Sequence, residues 1–283
     1  MVKGILLLAI GHPNYGSYAY QLAKTIRKTS DIPISILYAD KGISHLNESQ
    51  LSVFHKVIEV DRDHYTKGAK MYPVKAKVYL NKYTPYKKTI FLDSDIVWLD
   101  KPIDELFEIL KEESFSIENR KYWELSEDHK YSRKAWHWAD LNEVLKEYGS
   151  GKLYRIQSEF IYFDKSKTRK MFSDAQKIFE NPKLGLSIPF AGDVPDELAF
   201  AVSMLKNSVE PHQTPFIPFY WENEEKTKTP IASIRENYYA ISFGGALMNE
   251  GQKRIYSALV SKVVQPHLPM KNKRDYLPTR KLI

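Results

Sequence analysis

TIFLDSDIVW, residues 89–98, carries the strongest structural signal in the sequence. Its apolar start predicts a strand over Lys88–Leu92, which delivers the carboxylates of Asp93 and Asp95 at its C-terminal end. In open α/β sheets, ligands bind at that edge. Two neighbouring carboxylates repel each other and together favour a cation, and oxygen ligands select Mg²⁺ or Mn²⁺. The stretch therefore predicts a divalent metal site, whereas a plain surface turn is the alternative for an isolated Asp-x-Asp.

Strand and helix patterns alternate on the N-terminal side of this stretch. Three further strands are predicted at Val2–Ile10, Ile32–Tyr38 and Lys56–Val60. Between them, helices are predicted over Tyr15–Lys28, from the Asn47 cap to Phe54, and over Lys70–Asn81. This order predicts an α/β fold with a single Rossmann-like domain, a mostly parallel central sheet and helices on both faces.

The C-terminal half continues the pattern less regularly. Strands are predicted at Ser114–Glu118, Ile156–Phe163 and Tyr238–Ser242, and helices at Ile103–Lys111, Ser166–Glu180 and Asp196–Lys206. Residues 120–150 interleave aromatic side chains with charges, which is typical of a surface insertion on a binding face.

Composition excludes several classes of protein. The 283 residues include no cysteine, which excludes a disulfide scaffold, a cysteine-ligated metal and a thiol nucleophile. The apolar run at Gly4–Ile10 is too short for a transmembrane helix, and only Lys3 precedes it, so we expect a buried strand and no secretory signal. We therefore expect a cytoplasmic protein.

The positive charge is concentrated at the C-terminus. Residues 251–283 hold eight Lys and Arg against one Asp, which accounts for the whole net charge of +7. We expect a domain over residues 1–250 followed by a basic extension over 251–283. Such an extension suits an anionic membrane surface or nucleic acid, and a solvated terminus is the alternative.

The segment from Lys75 to Glu108, KAKVYLNKYTPYKKTIFLDSDIVWLDKPIDELFE, resembles the core of GT-A fold nucleotide-sugar glycosyltransferases. It is most similar to the glycogenin-like and bacterial galactosyltransferase group, family 8. That group has a helix lysine or arginine sixteen residues before the first Asp, and Lys77 stands there. Tyr86 matches the tyrosine before the strand, and Asp104-Glu105-Leu106-Phe107 matches the helix after it.

The resemblance implies a donor site. Asp95 would bind Mn²⁺ or Mg²⁺ directly, and Asp93 would contact the metal or the donor ribose. Lys77 would contact the donor phosphate or sugar. Lys75 and Ser94 fall in the same matched segment and are also expected in the donor site, although solvated lysines are the alternative. Tyr15, in the loop after the first strand, is expected to stack on the nucleobase; packing at a helix start is its alternative role.

The resemblance also implies an acceptor side, on weaker matches. Arg155–Phe163 resembles the family strand that carries sugar-contacting groups, with Gln157 as a donor contact and Glu159 as an acceptor-side carboxylate; a strand-edge salt bridge is the alternative for Glu159. Asp196, ahead of Asp193, would orient the acceptor or act as general base. A helix cap is the alternative for Asp196.

One position departs from the family pattern. The family has a metal-binding histidine in a late H-F-x-G motif, and Ser242 stands there, in Ile241-Ser242-Phe243-Gly244-Gly245. Serine is a poor metal ligand, so another group, His212 or His267 included, or a diphosphate and water would complete the site. Gly244 still allows a phosphate to approach the backbone closely.

The sequence thus predicts a metal-dependent glycosyltransferase that moves a sugar from a nucleotide diphosphate sugar, a UDP-sugar first, to a glycan or lipid-linked glycan acceptor. Glycosylation of nucleic acid or protein is one alternative, and a non-catalytic sugar-nucleotide-binding or scaffolding protein is the other. The basic tail is expected to place the protein peripherally on the inner membrane face.

Overall fold

The protein is built on a six-stranded central sheet. The computed structural model describes residues 2–131, 139–181, 195–212, 218–220, 231–243 and 250–264. Its strands are β1 Lys3–Gly11, β2 Ile34–Asp40, β3 Lys56–Glu59, β4 Thr66–Lys67, β5 Lys70–Met71, β6 Lys88–Leu92, β7 Ile96–Trp98, β8 Phe115–Leu125, β9 Gly151–Asp164, β10 Phe219–Tyr220 and β11 Ala240–Ser242. The central order is β3-β2-β1-β6-β9-β8, in which β3, β2, β1 and β6 are parallel. β9 runs antiparallel to both of its neighbours.

Helices cover both faces of this sheet. They are α1 Asn14–Ile26, α2 Glu48–Leu51, α3 Leu80–Tyr83, α4 Asp104–Ile109, α5 Leu141–Tyr148, α6 Arg169–Glu180, α7 Asp196–Lys206, α8 Ile231–Asn237 and α9 Glu250–Val264. α1 and α4 pack on one face, and α5, α6 and α7 pack on the other. The predicted fold class is confirmed, and β1 is apolar along its length because both of its faces are buried.

A second, three-stranded sheet adjoins the first, in the order β10-β11-β7. α9 packs its apolar face against this sheet through Ile255, Leu259 and Val263. The Tyr256 hydroxyl in α9 donates to the Tyr18 carbonyl in α1 at 3.4 Å. Residues 250–264 therefore form a helix docked on the core, and the rest of the expected basic extension lies outside the described residues. None of the described helices is long and apolar enough to cross a membrane.

Several predicted elements differ from the structure. The α-helix predicted over Lys70–Asn81 is wrong: β5 is followed by a 3₁₀ helix over Pro73–Tyr79 and then by α3. β8 and β9 are also longer than predicted and form an antiparallel pair. Because β8 continues to Leu125 and α5 occupies 141–148, more than half of the described part of the aromatic-rich region 120–150 is strand or helix.

A close backbone contact sets the start of α1. The Gly16 amide donates to the Gly42 carbonyl at 2.9 Å, and a Cβ at Gly42 would lie 1.9 Å from the Ala9 carbonyl oxygen in β1. Only glycine lets the turn after β2 approach β1 this closely. The contact matters for function because it positions the first turn of α1, including Tyr15, at the carboxyl end of the sheet.

A Gly42→Ala variant is therefore expected to lose about 1–3 kcal/mol of stability, because the added methyl group overlaps a carbonyl that cannot move without disturbing β1. Chemical denaturation measures the loss. Ser44→Ala, an exposed position in the same turn, is the matched control and should leave stability almost unchanged. Equal stability of the two variants would show that the turn can shift freely.

Candidate active site

The Asp93–Asp95 turn lies at the carboxyl end of β6, where neighbouring segments hold it by backbone hydrogen bonds. The Asp93 amide donates to the Glu159 carbonyl in β9 at 3.0 Å, and the Phe243 amide donates to the Asp95 carbonyl at 3.2 Å. The buried Ser94 hydroxyl donates to the Leu8 carbonyl in β1 at 2.5 Å. The turn is therefore fixed to both sheets, with Asp93 and Asp95 partly exposed.

Lys77 is the centre of a buried hydrogen-bond network. Its ammonium lies 2.8 Å from Asp93 Oδ2, 3.0 Å from the Ser158 hydroxyl and 3.6 Å from Asp196 Oδ2. The Ser158 hydroxyl in turn donates to Glu197 Oε1 at 3.4 Å. Lys77 thus joins the turn after β6, strand β9 and the start of α7, and its side chain is only 8% exposed.

The charges in this network shift one another's pKa values. Burial lowers the pKa of Lys77, but the carboxylates of Asp93, Asp196 and Glu197 outweigh burial and raise it above the ordinary value. Burial raises the pKa of Asp93 to about 6, against the opposing effect of Lys77. Burial and the neighbouring Asp196 carboxylate raise the pKa of Glu197 to about 8. The site therefore holds more carboxylates than one lysine neutralises.

Asp196 and Glu197 occupy different positions in the first turn of α7. Asp196 is 2% exposed, whereas Glu197 is partly exposed. The structure therefore places the predicted residue Asp196 in the cluster, facing Lys77, and adds Glu197, which the sequence reasoning missed. The signal available in the sequence was a pair of adjacent acids opening a helix, which is equally typical of favourable helix-dipole contacts.

A second polar group lies on β9 and β11. Burial, followed by the charges of Asp95 and Asp93, raises the pKa of Glu159 well above its ordinary value, and the Ser242 hydroxyl beside it acts in the opposite direction. Glu159 Oε2 and Gln157 Oε1 are buried and have no hydrogen-bond partner among the described residues. These are atoms that a bound ligand could satisfy. Ser242, the position of the expected family histidine, thus lies next to the acidic cluster.

Tyr15 also approaches the acidic turn. Burial, and then the carboxylates of Asp95 and Asp93, raise the pKa of its hydroxyl. Tyr15 follows the left-handed Gly11 at the end of β1 and lies in the first turn of α1. The ring is only partly buried, so the predicted stacking role remains open to it.

The remaining predicted residues lie elsewhere. The Lys75 ammonium donates to the Thr66 carbonyl at 2.9 Å and pairs with Glu180 at 2.5 Å, away from the Lys77 network. His212 pairs with Glu113 at 3.5 Å. Asp193, Gly244 and His267 lie outside the described residues. The donor roles predicted for Lys75 and Ser94 stay predictions.

The oxygen atoms at the turn fit a divalent cation that is shared with a ligand. Asp93 and Asp95 supply two carboxylates, and the buried Glu159 Oε2, which has no hydrogen-bond partner among the described residues, is a further oxygen beside them. Among the described residues, no three His, Asp or Glu side chains are spaced to hold a metal by themselves. Mg²⁺ commonly uses one or two carboxylates and completes its shell with substrate phosphates and water. The donor set at this turn matches that mode.

The solved structures that share this fold include glycosyltransferases. The galactosyltransferase LgtC, in complex with donor and acceptor sugar analogues, superposes with a TM-score of 0.58 at 15% identity, covering 97% of this chain and 100% of LgtC. The apo structure of the bifunctional glycosyltransferase WbbM superposes at 0.57 and 13% identity, covering 93% of this chain. The chain has the GT-A fold.

The present chain aligns with only 50% of the length of the WbbM chain. No protein-family model and no curated protein matches the sequence, so the likeness lies in the structure. The carboxyl end of β6 carries the Asp93–Asp95 turn in this chain, and the expected GT-A architecture is confirmed.

A Glu197→Gln variant is expected to gain stability relative to wild type as pH rises from 5 to 9. In the folded protein the pKa of Glu197 is raised to about 8, so wild type loses stability as pH rises from the unfolded-state pKa toward 8. Glutamine does not titrate, so the variant lacks this loss of stability. Thermal melts across this pH range measure the difference. The control is Glu210→Gln, since Lys152 lowers the pKa of the Glu210 carboxyl, and a parallel gain there would contradict the assignment.

Proposed function

We propose that the protein is a metal-dependent glycosyltransferase that moves a sugar from a nucleotide diphosphate sugar to a hydroxyl of a glycan or lipid-linked glycan. A UDP-sugar is the first candidate for the donor. The observation that carries this proposal is the position of the Asp93–Asp95 turn. Its carboxylates lie at the carboxyl end of a parallel strand in a GT-A fold, beside buried Lys77. Ligands of α/β sheets bind at this edge.

Asp93 and Asp95 would hold Mn²⁺ or Mg²⁺, which stabilises the charge that develops on a diphosphate leaving group. Lys77 keeps Asp93 in place through their 2.8 Å contact and adds positive charge behind it. Because Lys77 is almost fully buried, it acts from behind the carboxylate more than by direct contact with phosphate. Tyr15, in the first turn of α1, would cover the nucleobase.

The acceptor side is formed by β9 and α7. Glu159 and Gln157 present buried oxygens without hydrogen-bond partners among the described residues, and buried Asp196 Oδ2 lies 3.6 Å from the Lys77 ammonium. Hydroxyl groups of sugars donate hydrogen bonds, so such oxygens favour sugar rings. Glu197, the more exposed carboxylate of α7, is the better candidate for receiving a proton from an acceptor hydroxyl.

We also propose that the protein works in the cytoplasm, at an anionic membrane surface. Lys253, Arg254 and Lys262 begin the basic segment on α9, and five more basic residues follow in 265–283. Polybasic segments gain affinity for anionic lipid headgroups. Liposome sedimentation with and without phosphatidylserine tests this placement.

Turnover of nucleotide sugars tests the enzymatic proposal. The protein should release UDP from at least one of UDP-glucose, UDP-galactose, UDP-N-acetylglucosamine and UDP-glucuronate, and only when Mn²⁺ or Mg²⁺ is present. Mass spectrometry of products with added glycans then identifies the acceptor. If tight UDP binding occurs with no turnover of any donor, a sugar-nucleotide-binding protein is the correct description.

A further inference from the structure

A row of polar side chains leads away from the acidic cluster along β9. Arg155, Gln157 and Glu159 alternate with the buried residues Ile156 and Ser158, so the three side chains share one face of the strand. Glu159 lies at the end next to Asp95. Since each strand residue advances about 3.3 Å, Arg155 lies roughly 13 Å from Glu159 along the strand.

A second basic residue lies opposite Arg155 on the neighbouring antiparallel strand, β8. Lys121 in β8 is paired directly with Arg155, and both residues are exposed. Side chains of directly opposite residues lie on the same face, and like charges in such a pair destabilise a sheet. No carboxylate in the described ranges lies within 4.0 Å of either cationic group. Within the described part of the chain, the pair is thus a concentration of positive charge that no carboxylate neutralises.

An aromatic ring lies beside this pair. Trp123 is two residues along β8 from Lys121, on the same face, and the Lys121 ammonium lies 6.0 Å from the Trp123 ring centre. The indole ring is partly exposed and offers an apolar surface next to the two cations. The combination suits a ligand with a sugar or lipid part and an anionic part.

We propose that Lys121 and Arg155 bind an anionic oxygen group of the acceptor, a phosphate or a carboxylate. The acceptor's reacting hydroxyl would then lie at the Glu159 end of the same row. This inference rests on the proposed function. Arginine presents a planar set of donors that matches phosphate and carboxylate oxygens, and lysine adds a second charge. The separation of roughly 13 Å leaves room for a short oligosaccharide between the reacting hydroxyl and the anion.

Direct binding of three probes tests the proposal, with UDP and Mn²⁺ both present and absent. The probes are farnesyl diphosphate, octyl β-glucuronide and neutral octyl β-glucoside, each below its micelle-forming concentration. The double variant Lys121→Gln/Arg155→Gln should bind at least one anionic probe about tenfold or more weakly than wild type. Weaker binding of farnesyl diphosphate by the double variant indicates that the acceptor's anionic group is a phosphate. Weaker binding of the glucuronide indicates that it is the carboxylate of an acidic sugar.

The matched control is Lys56→Gln, an exposed lysine on β3 at the opposite edge of the sheet, and it should bind as wild type does. The double variant should also melt no lower than wild type, because it removes a like-charge pair. Unchanged affinity for both anions in the double variant, or equal binding of the neutral glucoside, would overturn the proposal. A protein that binds the anionic probes through this pair but never binds UDP would retain the anion site and lose the proposed function.

Discussion

A Lys77→Met variant is expected to lose about 3 kcal/mol of its free energy of unfolding at pH 7.5. Removing one partner of a buried ion pair costs about 3–5 kcal/mol, because the other charge stays buried without compensation. We expect the lower end, since Asp93 is 24% exposed and water partly screens it. Asp196 and Glu197 would lose the same cation. Urea denaturation measures the change.

The loss should be smaller at pH 5 than at pH 8. The pKa values of Asp93 and Glu197 are already raised to about 6 and about 8 with Lys77 present. Without the lysine both carboxyls hold protons more tightly, so acid relieves the repulsion and restores stability. Lys75→Met is the matched control, because Lys75 is equally buried but pairs with a single carboxylate, Glu180. If Lys77→Met loses no more stability than Lys75→Met, Lys77 is not the centre of the buried network.

An Asp95→Asn variant is expected to turn over nucleotide sugars at least about a hundredfold more slowly than wild type, with its fold intact. Asparagine keeps the shape of the side chain but removes the charge that would hold a divalent cation at the diphosphate, and loss of one such electrostatic group typically costs this much. Its melting temperature should not fall, because Asp95 raises the pKa values of Glu159 and Asp93 by repulsion.

The matched control for this variant is Asp40→Asn. Asp40 is exposed at the carboxyl end of β2, at the same sheet edge, and asparagine tolerates its left-handed φ of 54°. Turnover by Asp40→Asn should equal that of wild type. An Asp95→Asn protein with wild-type turnover at limiting Mn²⁺ would exclude the turn as the metal site.

The fold could be predicted from local sequence because its central strands have strong local signals. β1 and β6 each contain a continuous apolar run, Ile5–Ile10 and Ile90–Leu92, and the Asn47 cap of α2 forms the reciprocal hydrogen bonds with Gln50 that its sequence indicates. The segment over residues 70–83 was harder. There the sequence predicts one α-helix, but the chain forms a short strand, a 3₁₀ helix and one α-helical turn, because Pro73 interrupts the α-helical hydrogen bonding.

The site could be predicted only where its residues are adjacent in the chain. Asp93 and Asp95 were visible as a motif, and the resemblance indicated Lys77. Glu197 and the Lys121–Arg155 pair depend on contacts between distant segments: α7 meets β9 through Ser158, and the register of β8 on β9 sets which side chains are opposite. Irregularities in that register at Ile117/Glu118 and Asn119/Lys121 cannot be read from composition or spacing.

Thermal melting with UDP, GDP, CDP, ADP and dTDP, each with and without Mn²⁺, is the most direct test that the Asp93–Asp95 turn is a nucleotide–metal site. At a hundredfold excess over its dissociation constant, a bound nucleotide adds about 2.7 kcal/mol of stability. We expect UDP with Mn²⁺ to raise the melting temperature of wild type by several degrees, and to leave Asp95→Asn unchanged. No shift of the wild-type protein with any of the five nucleotides, with or without metal, would contradict the proposed donor site.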